Sequence, residues 1–310
     1  MTLEAATGKR KAPMTRPEPG VSVTLADGLR RVLAPNPSPM THWGTNSFIL
    51  GEGRVAVIDP GPEDTDHLAA LLDATAGETV THILVTHAHR DHSPLSRRLA
   101  ELTGAPVLAF GPPDAGRSPL MTRLVAEGMT GGGEGIDHAF RPDRTLSEGD
   151  RIEGEGWALD VLHTPGHFAG HLAFAWSDRV ISGDHVMDWS SSLVSPPDGD
   201  IADFMATSAR LRDLGAVELL PAHGGVIRDP ADRLDWLISH RRTREAQILA
   251  ALGPSPVSLV ELTASVYTDI PPAMLPAAAR NVFAHLVDLV QRNLATAEPD
   301  ISPVARFLRR

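Results

Sequence analysis

The 310-residue chain contains no cysteine. Disulfides, thiolate metal sites and a cysteine nucleophile are excluded together. Any bound metal must be held by His and carboxylate side chains, which suits Zn, Mn, Fe or Ni better than Cu(I) or an iron–sulfur cluster. Lysine is almost missing too: Lys9 and Lys11 are the only two, and arginine supplies every other basic residue. Aromatic residues number 14 (5 Trp, 1 Tyr, 8 Phe), a thin supply for stacking nucleic-acid bases. No apolar run reaches the roughly 18 residues of a membrane-spanning helix. The first twenty residues, MTLEAATGKRKAPMTRPEPG, lack the apolar segment of a secretory signal. We expect a loose tail over 1–20, a cytoplasmic protein and no membrane partner. Basic charge is in deficit, with 28 bases against 39 acids, and a net charge of −11 does not advertise a polyanionic partner.

What is present is ordinary in bulk and unusual in detail. Hydrophobic residues at 42% and charged residues at 22% describe a globular protein with length for about two domains. From Val21 to about Ala231 short β-rich runs alternate with Gly/Pro punctuation. Strands are expected at Asn46–Leu50, Val55–Ile58, Thr81–Val85, Val107–Phe110, Ala158–His163, His171–Trp176 and Arg179–Ser182. Helices are expected at Asp64–Ala74, Ser93–Leu102 and Asp203–Leu214, giving a layered α/β unit. After Asp229-Pro230 the texture turns helical, with Asp232–Leu252, Ser258–Val266, Pro271–Ala279 and Arg280–Leu294 as candidate helices. The tail Ala295–Leu308 has room for a hairpin, so 231–310 reads as a winged-helix-like domain after a catalytic domain over 21–230. Nine bases against eight acids over 231–310 leave the acidic excess wholly in the first 230 residues.

Fourteen histidines are the second notable count. Four of the residues in Thr86-His87-Ala88-His89-Arg90-Asp91-His92 can ligate metal, and the segment follows the apolar run Ile83-Leu84-Val85 and precedes a helix start at Ser93-Pro94. It is therefore a strand-to-helix loop, where functional groups project. Three further segments repeat the arrangement: Thr164-Pro165-Gly166-His167, Ser182-Gly183-Asp184 and Pro221-Ala222-His223-Gly224. Each follows an apolar run and puts one His or Asp beside a glycine. Clustering so many groups that are costly to desolvate points to a two-metal site.

The HxHxDH loop with His167, Asp184 and His223 resembles the metallo-beta-lactamase superfamily over residues 21–230. The resemblance implies an αββα sandwich with the site at one edge of its two sheets. It implies a first metal on His87, His89 and His167, a second on Asp91, His92 and His223, and Asp184 bridging. Two divalent ions, zinc first with manganese or iron as alternatives, would make a bridging water nucleophilic near neutral pH. Asp91 is expected to serve as the catalytic proton carrier as well as a ligand. The absence of cysteine separates this chain from lactamases with a Cys ligand. Its second domain resembles the lactamase-beta-like branch, one eukaryotic group of which cleaves single-stranded RNA.

Other residues carry weaker expectations. Asp59, His171 and His185 either back the ligands or meet substrate, and 189–200 (WSSSLVSPPDGD) is expected to wall the substrate site. His240 and Arg241 fit the branch pattern without an assigned role. His42, His67, His82, His138, His163 and His285 are expected to be surface or structural. The leading function is hydrolysis of a small ester, thioester or lactone, which the acidic balance favours. The alternative is a single-strand endoribonuclease or phosphodiesterase, using Arg241, Arg242, Arg244, Arg306, Arg309 and Arg310 as a local basic face. A third reading makes the metal domain a sensor for a DNA-binding tail. Self-association into a homo-oligomer is left open.

Overall fold

A computed structural model of the protein describes residues 16–310. Most of the expected loose tail lies outside the described residues, while Pro19 and Gly20 are tied to Leu33. The first sheet is built from β1 (Ser22–Ala26), β2 (Leu29–Leu33), β3 (Asn46–Leu50) and β4 (Arg54–Ile58), paired antiparallel in chain order. Next come β5 (Thr79–Leu84), β6 (Val107–Ala109) and β7 (Arg144–Thr145), each parallel to its predecessor. Parallel neighbours need crossovers, and α1 (Thr65–Ala74), α2 (Leu95–Thr103) and α3 (Pro119–Ala126) lie in them. The period of two along each strand decides both faces. Ile49, Val57 and Ile83 pack outward on Leu71 of α1 and Leu99 of α2, while Phe48, Ile58 and Leu84 point to the second sheet.

That sheet contains β8 (Arg151–Gly154), β9 (Trp157–His163), β10 (Leu172–Trp176), β11 (Arg179–Gly183) and β12 (Glu218–Pro221), in the order β12-β11-β10-β9-β8. Only β11 and β12 run parallel, and α4 (Ile201–Asp213) lies in their crossover. Val161, Leu172, Phe174 and Ile181 meet the first sheet, whereas Ala173, Val180 and Leu219 face outward. The outward face is covered by Leu211 of α4 and by Leu234 and Leu237 of α5 (Pro230–Ala251). The result is the αββα sandwich that the motifs implied. Each fully buried Leu, Ile, Val or Phe adds about 1.5–3 kcal/mol of hydrophobic stabilisation, so both strand faces hold their register firmly.

The second half of α5 leaves the sandwich and joins another core. Ile248 and Leu252 pack there with Leu262 of α6 (Leu259–Val266) and Phe283 and Leu286 of α7 (Leu275–Gln291). A small sheet, β13 (Val257–Ser258), β14 (Ala295–Glu298) and β15 (Arg306–Arg309) in the order β13-β15-β14, supplies Phe307. Ser258 and Glu261 form a reciprocal cap that starts α6. Met121 and Leu124 of α3 enter the same core, so the sandwich and the C-terminal winged helix share buried surface. Among the described residues, no helix is long and apolar enough to cross a membrane.

Several local expectations need correction. The two helices expected at Pro271–Ala279 and Arg280–Leu294 are a short 3-10 turn, Pro272–Met274, followed by the single helix α7. The physical reason is that Pro276 sits in the first turn, where proline is tolerated, and nothing between Ala277 and Arg280 breaks a helix. Strands β1, β2, β7, β8 and β13 were not expected. β2 and β8 contain arginine or glutamate amid short apolar runs. Nor was α3, although Ser118 capping Met121 N–H and Pro119 in the first turn provide a start signal.

Candidate metal centre

The buried run ending at Val85 delivers the chain to the sheet edge, where Asp59, at the end of β4, organises the loop. Its carboxylate accepts from the Thr86 backbone N–H and hydroxyl, each at 2.8 Å. The other carboxylate contact is His92 Nδ1, 2.9 Å from Asp59 Oδ2. One buried acid thus grips both the beginning and the end of the seven-residue segment from Thr86 to His92. Asp59 adopts φ 49°, a left-handed conformation uncommon outside glycine. Such strain persists where surrounding contacts over-determine it.

Hydrogen bonding also decides which ring nitrogens face inward. Thr86 Oγ1 gives its proton to Asp59 and therefore accepts from His87 Nδ1 at 3.0 Å, leaving a lone pair on His87 Nε2. His167 Nδ1 donates to the Leu193 carbonyl at 2.7 Å, leaving a lone pair on its own Nε2. Both lone pairs point at His89 Nδ1, from 2.9 and 3.1 Å. A single N–H cannot satisfy both. Burial and the neighbouring His167 push His89 down to about 3, and burial with His92 holds His87 well below the usual imidazole range. His87 and His89 therefore stay uncharged.

The second set is the opposite in character. His92 donates Nδ1–H to Asp59, and His223 Nδ1 donates to the Gly44 carbonyl at 3.1 Å, so each turns Nε2 toward carboxylates. His223 Nε2 lies 3.1 Å from Asp91 Oδ2 and 3.2 Å from Asp184 Oδ1. His92 Nε2 is 3.5 Å from that same Asp184 oxygen, and Asp184 Oδ2 is 3.5 Å from His167 Nε2. Asp184 therefore faces both sets. Although burial opposes charge here, Asp184 and Asp91 raise His223 to about 10. Against the same burial, His92 and His223 hold Asp91 below the ordinary carboxylate range.

The site that results is able to bind metal ions. His87, His89, His167 and Asp184 present ligand atoms that all lie within 4.8 Å of one another, as do Asp91, His92, Asp184 and His223. Asp91 Oδ1, His92 Nε2, Asp184 Oδ1 and His89 Nε2 are buried without a hydrogen-bond partner. Leaving such groups unsatisfied costs about 1–3 kcal/mol each, more when charged, and a cation relieves the acceptors among them together. Five imidazoles and two carboxylates are the donor set of a borderline or hard divalent ion.

Residues 40–223 match the metallo-beta-lactamase superfamily. The chain belongs to that superfamily. It is a metal-dependent hydrolase of the metallo-beta-lactamase superfamily. Residues 258–302 match the beta-lactamase associated winged helix domain. The chain is 32% identical over 278 residues to beta-lactamase-like protein 2 homolog of Drosophila melanogaster, covering 86% of this chain and 88% of that one. It is 28% identical over 285 residues to an atrochrysone carboxyl ACP thioesterase of Passalora fulva, covering 87% and 76%. A metallo-beta-lactamase family protein from Thermus thermophilus superimposes with a TM-score of 0.74 at 27% identity, over 93% of this chain and 100% of that one.

Within this superfamily framework the remaining expected residues separate. His171 stands behind Asp184: its Nδ1–H donates to Thr164 Oγ1 at 2.7 Å and its Nε2 accepts the Asp184 N–H at 3.1 Å. Gly183 permits that approach, since its φ is 51° and a Cβ there would lie 2.5 Å from His171 Nε2. His185 points elsewhere, with Nε2 3.0 Å from Ser208 Oγ and its ring stacked on Phe204. It does not line the cavity above the metal centre. His67 bonds Ser47 Oγ at 2.8 Å, and burial pushes it down to about 4. His42, expected to be structural or superficial, is stacked between Trp43 and Trp189 and so stiffens a wall of the site.

The cavity itself, of about 240 Å³, contains more than the motifs announced. Trp189, Ser190, Ser191 and Leu193 line it, within the stretch expected to wall the substrate site. Its far side comes from Trp236, His240 and Arg244 of α5, with Tyr267 and Asn281 from the segment beyond it. Of this group the sequence suggested only Arg244 as part of a basic face and His240 as fitting the branch pattern, and placed none of the five in the cavity. The one available signal was the spacing of Trp236, His240 and Arg244 at intervals of four, one face of a helix.

Proposed function

We propose that the protein is a binuclear hydrolase whose substrate is a small thioester or ester. The observation that carries this reading is Asp184, whose two oxygens face the imidazoles of both ligand sets. In this reading His87, His89 and His167 hold one divalent cation, Asp91, His92 and His223 hold the other, and Asp184 is common to both. Zinc is the expected metal. Bound divalent cations supply Lewis acidity and a water activated near neutral pH, which removes the need for a Ser or Cys nucleophile. Residues 21–230 then carry the chemistry, while 231–310 complete the cavity.

The chain's own residues perform the rest. Asp59 and Thr86 fix the tautomers of His92 and His87, so both present lone pairs inward. His171 fixes Asp184 through its backbone N–H. Asp91 directs Oδ2 toward His223, while Oδ1 has no hydrogen-bond partner. That free oxygen is the one to take a proton in passing and hand it to the leaving group, the carboxylate being ionised at rest. The apolar wall formed by Met187, Trp189 and Leu193 restricts water around an acyl chain. A thioester is favoured over a lactone by the likeness to a relative named as an ACP thioesterase.

The test is metal analysis of the purified protein beside a substrate panel of thioester, lactone, nitrocefin, phosphodiester and single-stranded RNA. Two equivalents of metal and thioester or ester cleavage are expected. Cleavage of RNA alone, or full activity with one equivalent, would overturn the reading.

A further inference from the structure

The cavity has a second pole whose chemistry the hydrolytic centre does not use. Its acidic lining residues, Asp91, Glu134 and Asp184, come from the sandwich, and the winged-helix side contributes none. That side contributes Arg244 instead. Its guanidinium lies 3.9 Å over the ring of Tyr267, and Nη1 donates to the Val266 carbonyl at 3.0 Å. Nε is buried without a partner. Among the described residues Arg244 has no carboxylate partner, whereas its neighbour Glu245 is paired with Arg292 at 2.7 Å. Stacking holds the guanidinium plane and leaves in-plane N–H groups for a planar acceptor.

The surroundings strengthen the positive character. Arg241, one turn earlier and 2% exposed, donates to Asn281 Oδ1 at 2.9 Å and to the Ser192 carbonyl. Burial, with Arg241 and Arg244, pushes His240 down to about 4, so this pole disfavours a further cation. His240 itself is stacked on Trp236 with ring centroids 5.0 Å apart. The rest of the cavity wall is largely apolar, including Leu193, Met274 and Ala278.

We propose that this pole is an anion subsite in which Arg244 holds a carboxylate or phosphate on the arm of the substrate remote from the scissile bond. The position of that bond rests on the hydrolase reading above; the subsite does not. The substrate class is then an acyl thioester or ester with an apolar middle and one anionic end.

The experiment uses the full-length, metal-loaded protein as wild type, Arg244→Met and Arg244→Lys. Equilibrium binding of adipate, butyl phosphate and neutral hexanamide is followed by tryptophan fluorescence. Hydrolysis is compared for thioesters of equal length ending in carboxylate, phosphate or methyl. A charge-assisted pair is expected to favour the anionic member by about tenfold or more, expressed in KM. Arg244→Met should bring the charged-to-neutral ratio to about one, with Arg244→Lys in between. Whichever anionic arm shows the effect identifies carboxylate or phosphate as the group. Should Arg244→Met fail to fold, Arg244→Lys still carries the comparison. Equal ratios and equal binding in wild type and variants overturn the subsite. Cleavage without discrimination keeps the hydrolase and removes the subsite. Arg244-dependent binding without cleavage keeps the subsite and removes the hydrolase. Arg244-dependent binding of an oligonucleotide, with neither small anion bound, overturns the assignment to a small substrate.

Discussion

The two ends of the cavity are built by different means. At the metal end His87, His89, Asp91 and His92 follow β5, His167 follows β9, Asp184 follows β11 and His223 follows β12. At the other end Trp236, His240 and Arg244 occupy successive turns of α5, with Tyr267 just past α6 and Asn281 on α7. Strand ends lie together because backbone ladders align them, so groups far apart in the chain converge at one rim. Helix faces present rows whose use depends on what packs opposite. The first arrangement places atoms finely enough for ligation, and the second suits shape and charge selection.

That contrast can be broken by substitution. The largest effect is expected from Asp184→Ala, which removes the residue common to both ligand sets. Hydrolysis should fall by more than about a hundredfold, beyond the 10–100-fold typical of groups behind ligands. Metal content should fall with it, while circular dichroism remains native. Asp59→Ala comes next, because its three hydrogen bonds orient Thr86 and His92 from behind. Metal affinity should weaken by about 10–100-fold, measured by competition with a chromogenic chelator. Unchanged affinity would show that the strand-end geometry does not depend on its support.

Changes in the winged-helix region should touch stability rather than metal. His285 on α7 is 1% exposed, and neither ring nitrogen has a hydrogen-bond partner. Burial, with Arg241 next, pushes it down to about 3. An unfolded histidine titrates near 6.5. Below that pH the unfolded chain binds the extra proton, so stability declines as pH falls from about 6.5 toward about 3, at up to about 1.4 kcal/mol per pH unit. His285→Leu should remove about 2 kcal/mol of the stability lost between pH 6.5 and 5, read by urea melts. The smallest effect is expected from Ser258→Ala, which opens the cap of α6 and should cost about 1 kcal/mol with metal content unchanged.

The same contrast explains what could be read in advance. The segment from Thr86 to His92 is legible because an apolar strand run, a short polar loop and a helix start fall within a dozen residues. His167, Asp184 and His223 each carry the local mark of an apolar run and an adjacent glycine. Helix α7 runs through the boundary expected between Ala279 and Arg280, and the packing of Ala278, Val282, Phe283 and Leu286 along one buried face is what shows a single helix. His171 and His185 looked alike beside the motifs, yet one supports Asp184 and the other faces Phe204. Their difference is one of direction, which neighbouring strands and helices set.

The sequence by itself determined the alternation that makes two sheets, the ligand-bearing loops and the exclusion of thiol chemistry. Those properties are local, because strand period, loop composition and residue type act over a few positions. Tertiary structure alone decided that Asp184 faces both ligand sets, that Asp59 grips a loop 27 residues away, and that Arg244 enters the same cavity. These depend on the pairing of strands and the docking of α5 and α7 between two cores. Burial and convergence are properties of packing, so no local pattern records them.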